Sequence, residues 1–172
     1  MKSVFVSAGH SNADPGAVAN GRREADIVLE FRNMVAFYLE REDVPFATDG
    51  RGPVNQPLAS AAKDARKHWI AVEFHCNAAA TNRATGVETL SGSKDYPLAR
   101  KICEAIATQL GIKNRGAKPE NSGQHSRLAF VQAGGIIVEL FFITNPQDLK
   151  QYDARKWLAA REVARILTEE LK

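Results

Sequence analysis

Short strand-like runs alternate with helical patterns along the whole chain, and this alternation restricts its possible folds more than any other feature. The strand-like runs, rich in β-branched and aromatic residues, cover residues 2–7, 44–48, 69–74, 86–90, 128–132 and 136–141. Several of them are almost continuously apolar, which is typical of strands buried on both faces. The alternation predicts an α/β fold in which helices cover a sheet.

Helical patterns fill the intervals between and after these runs. They cover residues 26–41, 57–68, 96–110 and 154–171. Asn55 lies just before the second pattern as a possible cap, and Gly111 follows the third, where a left-handed residue commonly ends a helix. The apolar stripe of the last pattern includes Trp157, which we therefore expect in the core.

Chain length and composition predict one domain over residues 1–172. This length can bury a core without disulfides or a structural metal, so any bound metal is expected to be catalytic. The 44% hydrophobic and 25% charged content excludes general disorder. The net charge of +3 argues against a nucleic-acid partner. Cys76 and Cys103 are too few for a disulfide framework and are expected to be reduced.

The ends of the chain and its apolar runs bear on where it acts. No run approaches the ~20 apolar residues that cross a bilayer, so we expect no membrane insertion. Residues 1–7 enter the first strand-like run without the apolar region of a signal peptide. The expectation is accumulation in the cytoplasm.

Four polar residues stand at the ends of predicted strands or just beyond them. His10 and His75 each follow a strand-like run, Glu139 follows three β-branched residues, and Glu24 precedes the first long helix. Sites in α/β sheets assemble at the carboxyl ends of strands, and two histidines with two carboxylates suit a catalytic zinc centre and its base. Taken singly, each histidine is better explained as a structural hydrogen-bonding residue than as a ligand, and Glu139 has the alternative explanation of a salt bridge to an arginine.

Several segments, taken in order, resemble one enzyme family. They are Gly9-His10 with Asp-Pro-Gly-Ala at 14–17, Glu24, His-Cys-Asn-Ala at 75–78, Arg-Gly-Ala-Lys at 115–118, and the segment from Val138 to Pro146. The set resembles the zinc-dependent N-acetylmuramoyl-L-alanine amidases of the Amidase_3 type, and the chain looks like a phage or prophage endolysin. The chain departs from the family at Ser11 and Asn12, where glycines are frequent, and at Phe141, where glycine is usual.

The resemblance implies a fold, a site and an activity. The fold is a six-stranded, mostly parallel sheet in a single catalytic domain with no separate wall-binding domain. His10, Glu24 and His75 would bind one Zn²⁺, and Glu139 would be the catalytic residue. The activity is hydrolysis of the bond between N-acetylmuramic acid and L-alanine, on peptidoglycan, by a monomer that reaches the cell wall after its release.

Three further residues are candidates for substrate binding, each with a plainer explanation. Asn77 could instead fix a histidine tautomer, as could Asp14. Arg115 could contact the acidic stem peptide or belong to a solvated basic turn at residues 115–118. His125 could line the groove, replace Glu24 as a ligand, or be an ordinary solvated loop histidine.

Two other functions fit the same residues. A zinc carboxypeptidase on the stem peptide would use the same centre but release an amino acid. A non-catalytic wall-binding module would keep the basic surface, but it would have no use for a carboxylate at the buried position of Glu139.

Overall fold

A mostly parallel six-stranded sheet organises the molecule, as a computed structural model of residues 2–123 and 127–172 shows. The strands and helices in chain order are β1 (Val4–Ala8), β2 (Val18–Ala19), β3 (Arg22–Arg23), α1 (Glu24–Arg41), β4 (Phe46–Thr48), α2 (Leu58–Ala65), β5 (Ile70–Asn77), β6 (Val87–Leu90), α3 (Tyr96–Leu110), β7 (Asn114–Lys118), α4 (Ala129–Gln132), β8 (Ile136–Phe142) and α5 (Pro146–Leu171). The strand order is β4-β1-β5-β8-β6-β7, and β6 runs antiparallel to β8 while the other neighbouring pairs are parallel. The predicted α/β class is confirmed.

The two faces of the sheet are covered unequally. The larger apolar cluster joins one face to the three long helices α1, α3 and α5, through residues such as Phe31, Ile102 and Tyr152. The smaller cluster joins the other face to the short helices α2 and α4, through residues such as Ala61 and Phe130. The thin side therefore leaves space above the sheet, and the site described below occupies it.

The last helix begins eight residues earlier than the sequence pattern predicts, at Pro146 rather than at residue 154. The first turn of this helix is mostly polar, so apolar periodicity does not indicate it. The turn is stabilised by a cap, because the Asn145 side chain accepts hydrogen bonds from the backbone N–H groups of Gln147 and Asp148. The core position predicted for Trp157 is wrong, since that residue is 53% exposed.

Residues 128–132 do not form the predicted strand. Most of that run is α4, and Gly134 then takes a left-handed φ of 90° where the chain turns into β8. An apolar run this short fits either a helix or a strand, so periodicity could not decide. The sixth strand is instead β7, in the basic segment that was predicted as a turn. The count of six is right, but one of the six predicted strands is wrong.

Other smaller expectations can be compared directly. Gly111 ends α3 in the left-handed conformation, as predicted. Asn55 does not cap α2, because its side-chain amide donates a hydrogen bond to the Ala8 carbonyl. Cys76 and Cys103 are free and buried, as expected. Among the described residues, no helix has both the length and the apolar character to cross a membrane.

Candidate active site

A cavity of about 980 Å³ lies on the thin side of the sheet. His10, Glu24, His75 and Glu139 all line it, so residues far apart in the sequence meet here. The strands bring them together, because His10 follows the carboxyl end of β1 while His75 and Glu139 lie on the neighbouring strands β5 and β8. The sequence analysis placed His75 just after a strand, and the structure places it within β5; Glu139 lies within the predicted run 136–141 and within β8.

His10, Glu24 and His75 converge on a single point. The His10 Nε2 atom and the His75 Nδ1 atom each lie 3.3 Å from the same carboxylate oxygen, Glu24 Oε1. One possible ligand atom from each residue lies within 4.8 Å of the others. Two imidazole nitrogens and one carboxylate oxygen are a donor set that suits a catalytic zinc ion. The residues predicted as ligands therefore fit that metal.

Backbone groups hold the Glu24 carboxylate in place. Glu24 is the first residue of α1 and is only 4% exposed. Its Oε1 accepts a hydrogen bond from the Cys76 N–H and its Oε2 accepts one from the Ala17 N–H, both at 2.9 Å. Burial alone would raise the pKa of Glu24, but the contacts with His10 and His75 outweigh it and hold the pKa below its usual range. The carboxylate is thus kept ionised and aimed at the histidines.

Two glycines make room for this convergence. A Cβ on Gly9 would overlap the imidazole ring of His75. Gly16 has a φ of +64°, and a Cβ there would meet both the Glu24 carboxylate and the His10 ring. The chain can therefore pass this close to the three side chains only where a residue has no side chain of its own.

Each histidine also meets a second carboxylate through its other ring nitrogen. Glu73 Oε1 lies 3.0 Å from His75 Nε2, and Glu73 Oε2 accepts a hydrogen bond from the Ser7 hydroxyl at 2.9 Å. Asp14 Oδ2 lies 3.1 Å from His10 Nδ1, but that nitrogen has no well-aligned hydrogen bond within the described part of the chain. Asp14 is where the sequence analysis expected a residue fixing a tautomer, whereas Glu73 was missed.

The protonation of His75 follows from these contacts. Burial lowers the pKa of His75, but hydrogen bonds to Glu24 and Glu73 raise it well above its ordinary value. The same balance, with Glu24 as the main partner, raises the pKa of His10. Without a metal, protonation of the two histidines brings positive charge to this group of carboxylates. A bound metal ion would supply that positive charge instead.

Glu139 lies beside the convergence point rather than in it. Its position on β8 pairs with His75 on one side and with Glu88 on the other. Its Oε2 atom is buried and has no hydrogen-bond partner among the described residues. Burial, helped by the nearby Glu24 and Glu88 carboxylates, raises the pKa of Glu139 to about 7 despite the opposing effect of His75. A carboxyl group with this pKa can both accept and donate a proton near neutral pH.

The residues suggested for substrate binding have different positions. Asn77 donates a hydrogen bond to Glu88 rather than to either histidine. Arg115 lies on strand β7, lines the cavity and donates a hydrogen bond to the same Glu88 carboxylate. The prediction of a solvated basic turn at residues 115–118 is therefore wrong. His125 lies outside the described residues.

Comparison with known proteins gives consistent matches. The family model described as N-acetylmuramoyl-L-alanine amidase matches residues 4–169. The crystal structure of a candidate N-acetylmuramoyl-L-alanine amidase from Neisseria meningitidis is 45% identical and superimposes with a TM-score of 0.92, over 99% of this chain and 96% of that chain. The catalytic domain of CwlV, an N-acetylmuramoyl-L-alanine amidase from Bacillus (Paenibacillus) polymyxa var. colistinus, is 20% identical and shares the fold with a TM-score of 0.86 over the whole of both chains.

A phage protein is among the curated relatives. The endolysin of Bacillus phage SPP1 is 31% identical over 159 residues, which cover 86% of this chain and 57% of the endolysin. Two longer bacterial relatives are covered over 37% and 30% of their lengths. The chain thus spans about half the length of the phage relative and about a third of these bacterial ones.

Proposed function

The chain belongs to the N-acetylmuramoyl-L-alanine amidase family, and from that premise we propose that it hydrolyses the amide bond between N-acetylmuramic acid and L-alanine in peptidoglycan. One observation carries the proposal for this chain's own residues. His10, Glu24 and His75 converge on one point of the cavity, and Glu139 lies on the strand position next to His75. The proposal treats residues 1–172 as a single catalytic domain.

The proposed cofactor is one Zn²⁺ per chain, held by His10, Glu24 and His75. Three nitrogen and oxygen donors leave a position open to the substrate side, which distinguishes catalytic zinc sites from structural ones. When bound, zinc supplies a Lewis acid that polarises the amide carbonyl and makes water a stronger nucleophile at neutral pH. Glu24 would balance part of the positive charge of the zinc ion, since its carboxylate is ionised and is fixed by two backbone N–H groups.

Glu139 is the proposed general base and acid. Its Oε2 atom takes a proton from the attacking water while the water oxygen forms a bond to the amide carbon. When the carbon–nitrogen bond breaks, the same carboxyl returns the proton to the departing L-alanine nitrogen, so that a muramoyl carboxylate and a free amino terminus result. A pKa near 7 suits both transfers, and Oε2, which has no hydrogen-bond partner among the described residues, is free to make them.

Product analysis tests the reaction directly. Purified protein is incubated with sacculi, with and without a chelator, and the new end groups are identified. We expect free L-alanine amino termini, no new reducing sugar ends, and recovery of activity when Zn²⁺ is added back after chelation. Release of a free amino acid from the end of the stem would instead identify a carboxypeptidase. Binding to sacculi without any cleavage would identify a wall-binding module.

We also propose that the activity serves lysis, as in an endolysin that reaches the cell wall after its release from the cytoplasm. The similarity to the phage endolysin supports this role. The test is to produce the protein inside bacteria and compare optical density before and after the membrane is permeabilised. Rapid clearing only after permeabilisation is expected, and clearing should be absent in a Glu139→Gln variant. No clearing after permeabilisation, with active protein present, contradicts the lytic role.

A further inference from the structure

The cavity is strongly acidic, and Arg115 is the one arginine or lysine among the described residues that line it. Six carboxylates line the same cavity: Asp14, Glu24, Glu73, Glu88, Glu120 and Glu139. An anionic substrate that entered this space would be repelled by most of the ionised groups around it. Among the described lining residues other than the two histidines of the proposed metal site, Arg115 is the side chain that can pair with a negative charge.

Glu88 anchors Arg115 at a defined place in the cavity. Glu88 is 7% exposed on strand β6, and its Oε2 atom accepts hydrogen bonds from Arg115 Nε at 2.7 Å and from Lys118 Nζ at 2.6 Å. Its Oε1 atom accepts a third bond from Asn77 Nδ2 at 3.0 Å. Lys118 alone balances the charge of Glu88, so Arg115 brings a positive charge beyond what the carboxylate requires.

The guanidinium of Arg115 is held so that its outer edge remains available. Its Cζ atom lies 5.0 Å from the centre of the Phe142 ring, which supports one face of the group. Glu88 takes only the Nε donor, and the Arg115 side chain is 28% exposed. Within the described part of the chain, neither terminal nitrogen of Arg115 donates a hydrogen bond. Two parallel donors on a fixed guanidinium are the arrangement that binds a carboxylate through both of its oxygens.

The sheet register sets how far this group is from the reacting amide. Glu88 and Glu139 face each other across strands β6 and β8. Directly opposed residues of an antiparallel pair project from the same face of the sheet with Cα atoms about 4.5–5.5 Å apart. Arg115 is thus separated from the proposed catalytic carboxylate by one side chain. A ligand carboxylate at Arg115 would lie about one residue from the bond being cleaved.

On the premise of the proposed amidase function, we propose that Arg115 binds a free carboxylate of the stem peptide, that of the acidic residue following L-alanine. Glu88 and Phe142 are the positioning residues that hold its guanidinium. The subsite distinguishes stem peptides in which this group is a carboxylate from those in which it is an amide. An amide cannot accept two hydrogen bonds from the guanidinium and carries no charge to pair with it.

Two matched peptides test the subsite without depending on cleavage. One contains L-alanine followed by glutamate linked through its side chain, and the other has the free carboxylate of that glutamate converted to an amide. Binding of each to the zinc-loaded protein is measured by calorimetry for the wild type, Arg115→Gln and the control Arg161→Gln, an exposed arginine on α5. We expect the wild type and the control to prefer the carboxylate peptide by roughly 10- to 100-fold, the usual range for charge-assisted hydrogen bonds.

The variant should lose that preference and keep its fold. In Arg115→Gln, Glu88 retains Lys118 and Asn77, so thermal stability and zinc content should match the wild type. The preference should fall to near one, and Arg115→Lys, which keeps the charge without the planar pair of donors, should recover only part of it. Equal binding of the two peptides by the wild type, or an unchanged preference in Arg115→Gln, overturns the subsite.

A parallel hydrolysis assay keeps the two proposals apart. The same peptides joined to N-acetylmuramic acid are offered as substrates, and kcat and KM are measured separately. We expect the acid to be preferred mainly through KM. If neither is cleaved at the muramoyl–alanine bond, the proposed function is wrong. The binding preference and its loss in Arg115→Gln would still support a carboxylate subsite.

Discussion

Glu73 Oε1 lies 3.0 Å from His75 Nε2, so a buried carboxylate contacts the ring nitrogen that faces away from Glu24. Glu73 is 1% exposed, and among the described residues Ser7 is its other hydrogen-bonding side chain. A carboxylate in this position fixes which nitrogen of a metal-binding histidine carries the proton, and it strengthens the other nitrogen as a ligand. The ring of His75 is thereby oriented before any metal arrives.

Glu73→Gln should weaken zinc binding by roughly 10- to 100-fold, the usual cost of changing such a partner. The glutamine keeps the shape but removes the charge that favours a proton on Nε2. The measurement is competition for Zn²⁺ with a fluorescent chelator. Asp14→Asn is the comparison at His10, and a smaller effect is expected because the Asp14 side chain is 71% exposed. Equal zinc affinity in wild type and Glu73→Gln would contradict the role given to Glu73.

Glu139→Gln and Glu24→Gln should separate catalysis from metal binding. The first should lower the rate by roughly 10²- to 10⁴-fold, because glutamine cannot accept the proton, and should leave zinc near one per chain. The second should reduce zinc content itself, because Glu24 is in the ligand set. Zinc analysis and turnover are measured on both variants. Loss of zinc in Glu139→Gln with retention in Glu24→Gln would mean that the two carboxylates have the opposite roles.

Removing the metal should stop hydrolysis and leave the fold. The large apolar cluster around α1, α3 and α5 does not involve the three proposed ligands, and a core of this size is stable without a metal. Chelated protein should keep its far-ultraviolet circular dichroism and a cooperative thermal transition. A chelated sample that melts without cooperativity would show that the metal is structural.

The stability of the metal-free protein should fall with rising pH because of Glu139. Its pKa rises from the ordinary 4.5 to about 7 on folding, so the folded state binds more protons than the unfolded state between these values. The free energy of unfolding therefore decreases as pH rises from 4.5 towards 7. Glu139→Gln lacks this loss and should be more stable than the wild type by roughly 1–3 kcal/mol above neutral pH.

The pH effect is measured as a difference between proteins, so that titration of the histidines cancels except for the part that depends on their contact with Glu139. Denaturant unfolding of both chelated proteins at pH values below and above this window gives the two free energies. Glu104→Gln, the same substitution at an exposed position, serves as the control. If the stability advantage of Glu139→Gln is equally large at acidic pH, the Glu139 pKa is not raised by folding.

Gly9→Ala should damage the site through space alone. The added methyl group would occupy the volume of the His75 ring, so the ring must move away from Glu24. We expect a loss of at least tenfold in zinc affinity, and roughly 1–3 kcal/mol of stability, which is the usual cost of overpacking. Gly92→Ala is the control, because its Cβ would meet only Asp95 at an ordinary contact distance. Unchanged zinc affinity in Gly9→Ala would contradict the described packing.

The sequence predicted the buried strands inside the sheet better than the strand at its edge. Long apolar strands such as β5 and β8 are recognisable because burial on both faces requires apolar residues at nearly every position. β7 carries charged and small residues at the edge of the sheet, so its pairing with β6 has no periodic signal. The start of α5 depends on one capping side chain, Asn145, and apolar periodicity does not report it.

The sequence predicted only part of the site, because it shows the type of a residue but not its neighbours in the fold. His10, Glu24, His75 and Glu139 stand out because charged or titratable residues interrupt or border buried segments. Glu73 does so too, in the middle of a strand, and could have been found by the same rule. The roles of Gly9 and Gly16 could not, because they depend on which rings the fold brings against them.

The unequal cover of the sheet predicts where the molecule tolerates change. Substitutions in the large cluster beneath α1, α3 and α5 act on folding, since that is where most of the buried apolar residues lie. The opposite side carries the cavity under short helices and loops, so cavity-lining residues outside its small buried cluster and the proposed metal site can vary in charge and shape at less cost to folding. In directed evolution for activity on cell walls of different chemistry, most of the accepted mutations should therefore lie on the cavity side, and the large cluster should remain unchanged.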